Sequence, residues 1–367
     1  MLAKFLYQFS DFFIGFNVFR YITVRAALAA ITALFFAWWA GPKIIKILQK
    51  YQIGEEIRTD GPETHLAKKG TPTMGGLIIL VAIVLSVLLW ADLSNFYLLL
   101  ILFTTLTMGL VGFIDDFLKA ILKFKRGLVS RYKLIGQISL GLCLGMVIYF
   151  HPFFDGLHAN TSVPFFKNLE INFGIYYIAI ITFVITGSSN SVNLADGLDG
   201  LAAGLSGIAF IALAGIAYVS SNVNISGYLN VIYLPGTEEL AIYCLAVFGA
   251  AVGFLWYNAH PAQIFMGDTG SLALGSAMGT AAILLKKELL LILIAGVFIA
   301  ESLSVILQTT YFKYTRKKYG EGRRILRMAP LHHHYELEGW HENKVVIRFW
   351  IIGLLLALLS LSTFKTQ

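Results

Sequence analysis

Phe96-Tyr-Leu-Leu-Leu-Ile-Leu-Phe-Thr-Thr-Leu-Thr-Met-Gly-Leu-Val-Gly-Phe-Ile114 runs nineteen residues without a charge, and Asp115-Asp116 follows at once. As a helix rising 1.5 Å per residue, this stretch is about 29 Å long, close to the thickness of a bilayer's hydrocarbon core. Nine further stretches read the same way, near 22–41, 74–92, 134–151, 171–188, 200–220, 239–257, 270–286, 289–311 and 345–363. Of the 367 residues, 57% are apolar and 13% charged. Soluble domains carry about 25% charged residues, so this chain has too few to coat a soluble surface. A mean hydropathy of +0.73 agrees. A soluble enzyme, a disulfide scaffold and a disordered chain are excluded. The expected fold is an all-α polytopic membrane protein of about ten spans, forming one integral membrane domain over residues 1–367.

Charge sets the expected orientation. Loops 42–73, 115–133 and 312–344 hold twenty of the 28 Lys and Arg, whereas loops 152–170 and 221–238 hold only Lys167. The positive-inside rule then puts the basic loops in the cytoplasm and both termini in the periplasm. The net charge of +7 is read as this asymmetry and not as a nucleic-acid footprint. Lys4, Gln8 and Asp11 interrupt the first apolar stretch, so residues 1–20 read as an aromatic-rich surface segment and not a signal peptide. Cys143 and Cys244 sit in apolar runs and read as packing residues.

Polar groups beside spans are costly and usually functional. Asp115 and Asp116 repel each other at the negative end of a helix dipole. Their compensation is either Lys119, as a surface pair, or a divalent cation or substrate. Asn190, Asn193, Asp196 and Asp199 recur every third residue, which in a helix makes a drifting stripe suited to hydrated Mg²⁺ or a sugar phosphate. A capping turn explains one of these four, not all. Asn258 opens a third polar loop, and Phe265-Met-Gly-Asp268-Thr-Gly-Ser271 reads as a tight turn with free amides at a helix start, a natural anion site or an ordinary N-cap.

Two other stretches join these. Lys68-Lys69-Gly-Thr-Pro-Thr73-Met-Gly-Gly76 offers lysine beside a turn, either a phosphate contact or a basic juxtamembrane loop. Pro330-Leu-His332-His333-His334 lacks zinc-site geometry, and an extended run would put His332 and His334 on one side as donors to an anion. All these groups fall on the expected cytoplasmic side. A phosphate-rich substrate and a hard cation fit them, and the apolar spans beside them would admit a lipid.

Lys69–Gly76, Asp115-Asp116, Asn193–Leu201, Phe265–Ser271 and Pro330–His334, in this order, resemble the phospho-N-acetylmuramoyl-pentapeptide transferase family over nearly the whole chain. The resemblance implies transfer of phospho-MurNAc-pentapeptide from UDP-MurNAc-pentapeptide to undecaprenyl phosphate at the inner membrane, giving lipid I and UMP with Mg²⁺. It implies Mg²⁺ on Asp268, catalytic carboxylates at Asp115 and Asp116, and His332, His333 and His334 at the active site. Asn190, Asn193, Asp196, Asp199 and Asn258 match the nucleotide and sugar-phosphate region, and Phe265 would stack on uracil. Lys68, Thr73, Lys119, Lys133 and Gln308 are carried over as further contacts, and a homodimer is implied.

Direct attack and an aspartyl-phosphate intermediate both remain open at this level. A phosphate monoester loses its second proton near pH 6, so the lipid phosphate is a ready nucleophile and charge repulsion is the harder problem. That favours a single in-line displacement. Two rivals stand beside this reading. A secondary transporter would explain Glu301, an acid inside the ninth apolar stretch. A related transferase would use UDP-GlcNAc.

Overall fold

The computed structural model describes residues 2–50, 70–122, 124, 127–166 and 169–364. Helix α1 (Leu2–Tyr7) and a 3-10 turn (Ile14–Arg20) precede α2 (Ile22–Lys50), α3 (Gly76–Trp90), α4 (Phe96–Ala120) and α5 (Ser130–Phe150). A hairpin of β1 (Asn160–Ser162) and β2 (Glu170–Asn172) then leads to α6 (Tyr177–Ala195), α7 (Leu201–Ser221) and α8 (Val223–Leu229). The chain continues through α9 (Glu238–Asn258), α10 (Gly267–Leu284), α11 (Leu291–Ile294), α12 (Gly296–Tyr319), α13 (Leu331–Leu337) and α14 (Glu342–Ser362).

The apolar stretches expected from the sequence fall on helices, and the stretch near 289–311 is divided at Ala295 between α11 and α12. Among the described residues, seven helices are long and apolar enough to cross a membrane. The three that fall short are α3, α10 and α12. The first has only fifteen residues, the second is rich in Gly, Ala, Ser and Thr, and the third ends in Arg316, Lys317 and Lys318. The all-α expectation needs one correction: β1 and β2 pair antiparallel, Thr161 opposite Ile171. Two three-residue strands carry too little periodicity to be read in advance.

Helix α10 is buried on all sides from Thr269 to Leu284, wrapped by α3, α4, α6 and α7. A helix apolar all round belongs at a core. At the rim, α2 turns Ala26, Ala29, Ala33, Ala37 and Gly41 inward, while Ile31, Phe35 and Trp39 stay exposed. Gly249 and Gly253 of α9 meet that inner stripe, their positions closed by Ala30, Leu34 and Ala37. Lipid gives no hydrophobic gain between helices, so small residues that let backbones approach hold such a pair by dispersion.

The loops with polar motifs meet at one end of the bundle, the acid end. Phe265 N–H donates to Pro72 O, and Gly75 and Gly76 N–H donate to Phe265 O and Met266 O. Gly200 N–H donates to Asn258 Oδ1, and Asp199 N–H to Glu342 Oε1. The opposite, hairpin end carries β1 and β2, where Ser162 N–H donates to Lys286 O just past α10.

Candidate active site

The first turn of α10 organises the site. Gly112 of α4 lies against it, and a Cβ there would stand 2.7 Å from the Thr269 Cα. That approach brings Asp116 onto the helix start. Its Oδ1 accepts from Asp268 N–H (3.1 Å), and its Oδ2 from Thr269 N–H (2.9 Å) and Oγ1–H (2.6 Å). A carboxylate at a helix N-terminus satisfies orphan amides and meets the positive end of the dipole. The anion that the sequence led us to expect at this helix start is therefore the chain's own Asp116. Thr73 Oγ1 and Asp116 Oδ2 both crowd Gly267, which takes a positive φ of 72°.

Asp268 and Asp115 share two lysines. Lys119 Nζ stands 2.5 Å from Asp115 Oδ2 and 3.3 Å from Asp268 Oδ2. Lys133 Nζ, from α5, is 2.8 Å from Asp115 Oδ2 and also pairs with Asp268 Oδ2. Asn193 Nδ2, from α6, donates to Asp268 Oδ1 (2.7 Å) and Ser271 Oγ (2.8 Å). Asp115 Oδ1 accepts from Leu128 N–H (2.7 Å). Oxygens of Asp115, Asp116 and Asp268 lie within 4.8 Å of one another. Three carboxylates against two ammoniums leave one negative charge. Asp115 Oδ2 is buried and faces ammoniums without an aligned hydrogen bond. Oxygen donors in excess of local cations suit a hard divalent ion.

The remaining expected residues separate. Helix α6 ends at Ala195, so the stripe breaks after Asn193, with Asp196 at the C-cap and Asp199 in the following turn. Asn190 donates to Gln137 Oε1 and Thr186 O, tying α6 to α5. Asp199 Oδ2 accepts from Ala262 N–H and faces His260 Nδ1 at 3.0 Å, with Glu342 Oε2 3.3 Å from the same nitrogen. Asn258 clamps the neighbouring loop, accepting from Gly200 N–H and donating to Ile264 O. Gln308 does the same for another loop, through Ile325 N–H, Leu326 N–H and Leu326 O. The ring of Phe265 is half-buried. Lys68 lies outside the described residues.

The three histidines form part of α13, not an extended run, so successive rings fan about 100° apart. His332 points inward and is buried. His333 Nδ1 lies 2.8 Å from Glu336 Oε2, and His334 Nδ1 accepts from Arg327 N–H. Sequence reasoning passed over His260 and Glu342, whose partner Asp199 stands far away in the chain. It took Glu301 as a mark of a transporter or as an acid satisfied by its neighbours Ser302 and Ser304, whereas its carboxylate faces His332 and those hydroxyls bond Ser191 Oγ and the Glu301 backbone O.

These features define a membrane-embedded transferase. The description Glycosyl transferase family 4 matches residues 98–286, and Phospho-N-acetylmuramoyl-pentapeptide-transferase signature 1 matches residues 68–80. The phospho-N-acetylmuramoyl-pentapeptide-transferase of Thermodesulfovibrio yellowstonii is 51% identical over all of both chains. Its counterpart in Chlorobium chlorochromatii is 54% identical, again over all of both, and that of Chlorobium phaeobacteroides 54% over 96% of each. The chain belongs to the phospho-N-acetylmuramoyl-pentapeptide-transferase family.

Proposed function

We propose that this chain moves phospho-MurNAc-pentapeptide from UDP-MurNAc-pentapeptide to undecaprenyl phosphate, releasing UMP and forming lipid I. The observation that carries the reading is the meeting of Asp115, Asp268, Lys119, Lys133 and Asn193 at the mouth of an apolar bundle. The full-length identity to relatives of that name supports it. The acid end faces the cytoplasm of a bacterial inner membrane, on the strength of the basic residues gathered there, and ten helices cross.

The chemistry follows from charge. The lipid phosphate is largely dianionic at neutral pH and must approach a pyrophosphate against repulsion. Lys119 and Lys133 exchange carboxylate partners for phosphate oxygens, which places both reacting groups without a large reorganisation. Asn193 fixes one oxygen of Asp268 and leaves the other turned to the lysines. Asp116 holds the helix start and keeps this geometry. Asp268 and Asp115 would hold Mg²⁺, which supplies further neutralisation at the pyrophosphate oxygens. The displacement is a single in-line step.

The test is purified protein in lipid nanodiscs with Mg²⁺, undecaprenyl phosphate and one UDP-sugar at a time. UMP should appear with UDP-MurNAc-pentapeptide alone. Release with UDP-GlcNAc instead would move the chain to the related transferases. A labelled aspartyl-phosphate formed without lipid acceptor would overturn the single step.

A further inference from the structure

Helix α12 buries Glu301 completely, on a face that it shares with Val297, Phe298, Ser304 and Gln308. An isolated carboxylate there is costly, and in lipid-facing bundles such acids are retained with a partner. Among the described residues no Lys or Arg pairs with it. What faces it is His332, equally buried. The His332 N–H donates to Glu301 Oε1 (3.2 Å), and His332 Nδ1 stands 3.3 Å from Oε2. One carboxylate thus bonds the backbone of His332, 31 positions away, and holds its second oxygen within ion-pair range of the ring, where neither Oε2 nor Nδ1 has an aligned hydrogen bond.

The other ring nitrogen is more telling. His332 Nε2 is buried and has no hydrogen-bond partner. It lies against Gly197, in the turn that follows Asp196, and a Cβ on Gly197 would collide with it. A buried polar atom without a partner calls for an explanation, and a ligand is one of the few available. The neighbouring rings differ. His333 and His334 are occupied by Glu336, Arg327 N–H and Glu338 on the surface of α13. Only His332 is aimed inward.

We infer that Glu301 is a positioning residue for His332, holding its Nδ1 side so that Nε2 is presented, through the slot left by Gly197, to the sugar-phosphate side of the active site. The inference rests on the reading of the acid end as a transferase site. A carboxylate on Nδ1 selects the tautomer and the ring orientation, so Nε2 is the nitrogen left to meet an incoming phosphate oxygen or proton. A partner of this kind acts through the ring it holds and typically changes activity about 10- to 100-fold. It also accounts for Glu301 without a transport pathway.

A double-mutant cycle tests the pair, using Glu301→Gln, His332→Gln and the double variant in nanodiscs, read by UMP release. Glu301→Gln should lower kcat about 10- to 100-fold with KM for the UDP-sugar within about twofold. In the His332→Gln background it should cost nothing more. Losses that multiply across the two sites would overturn the inference. The ¹⁵N spectrum of histidine-labelled protein supplies a second readout, with the His332 signal identified by its absence from His332→Gln. That signal should change tautomer signature in Glu301→Gln, and an unchanged signal counts against the pair. Gly197→Ala leaves Glu301 in place, crowds Nε2, and should also fail to add to His332→Gln. Wild-type protein inert with every UDP-sugar would instead remove the transferase reading, and the ¹⁵N result would still decide the pair.

Discussion

Helix α10 has an ionic cluster at each end, about 27 Å apart along eighteen residues, and the two are built on opposite plans. At the hairpin end Glu288 accepts hydrogen bonds from Thr161 and Tyr177 hydroxyls. Lys287 Nζ donates to Ser162 Oγ (2.8 Å), and Lys286 Nζ to Tyr177 Oη (3.3 Å). Lys286 and Lys287 are each about 1% exposed, and Glu288 is 5%. At the acid end the side chains of Lys119, Lys133 and Asp268 are 43%, 19% and 14% exposed, and two lysines compete for the same two oxygens. One cluster is closed and satisfied, and the other is open and contested. Charge that is sealed with its partners acts as scaffold, whereas charge left reachable and shared can change partners, which phosphoryl transfer requires.

The comparison breaks first at Asp268. Asp268→Asn should reduce UMP release by about a thousandfold or more, with a flattened Mg²⁺ titration. Folding should survive, because Asp116 binds the backbone of this turn and not the Asp268 side chain. A normal Mg²⁺ titration would show that the acid end is as much scaffold as the other. Asp116→Asn should cost both properties. It removes a charged cap from α10, with an expected loss of about 2 kcal/mol in thermal or denaturant unfolding of the solubilised protein. Activity lost with no change in stability would mean that Asp116 works on substrate.

At the hairpin end the expected signature is a pH dependence. Burial pushes Lys287 down to about 8, with Glu288 and Glu170 offsetting part of that shift. Lys286 is lowered to about 8 for the same reason. In the unfolded chain both keep their protons to a pH of about 10.5. Between those limits the unfolded state binds more protons, so stability rises with pH. Below about pH 8 the cost of burying charge is constant. Lys287→Met should remove roughly half of that rise in melting temperature and leave UMP release at pH 7 unchanged. A loss of turnover would contradict the scaffold role. The smallest effect is expected at Lys119. Lys119→Gln removes the half-exposed partner of the buried Asp115, which keeps Lys133 at 2.8 Å, so stability should change by less than about 1 kcal/mol while turnover falls. Equal turnover in the variant would leave Lys133 as the working cation.

Much of this arrangement is legible from residues alone, because hydropathy and charge repeat over long windows. The apolar stretches are helical, the one near 289–311 divided between α11 and α12, and the helix ends carrying Asp115, Asn193 and Asp268 came together at one end. Pairings across sequence distance were not legible. Nothing near Asp116 announces that it caps a helix 152 residues later, and nothing near Glu301 announces His332. Short elements also escaped. Leu331–Leu337 is too brief for period to separate helix from strand, and β1 with β2 shorter still. The resemblance implies Asn258 and Gln308 as substrate contacts, and in the structure their amides also close loops onto backbone. A side-chain amide matches a peptide group as well as it matches a ligand, and spacing does not distinguish the two.

The turn bearing Asp268 is pinned from two directions, by Asp116 on its amides and by residues 72–76 stitched to Phe265 and Met266. Its backbone is a fixed socket, so under the proposed reading the carboxylate would meet an incoming ion by rotating about its own two side-chain bonds. Ion exchange at such a socket would be set by the shedding of water from the cation, which magnesium does reluctantly.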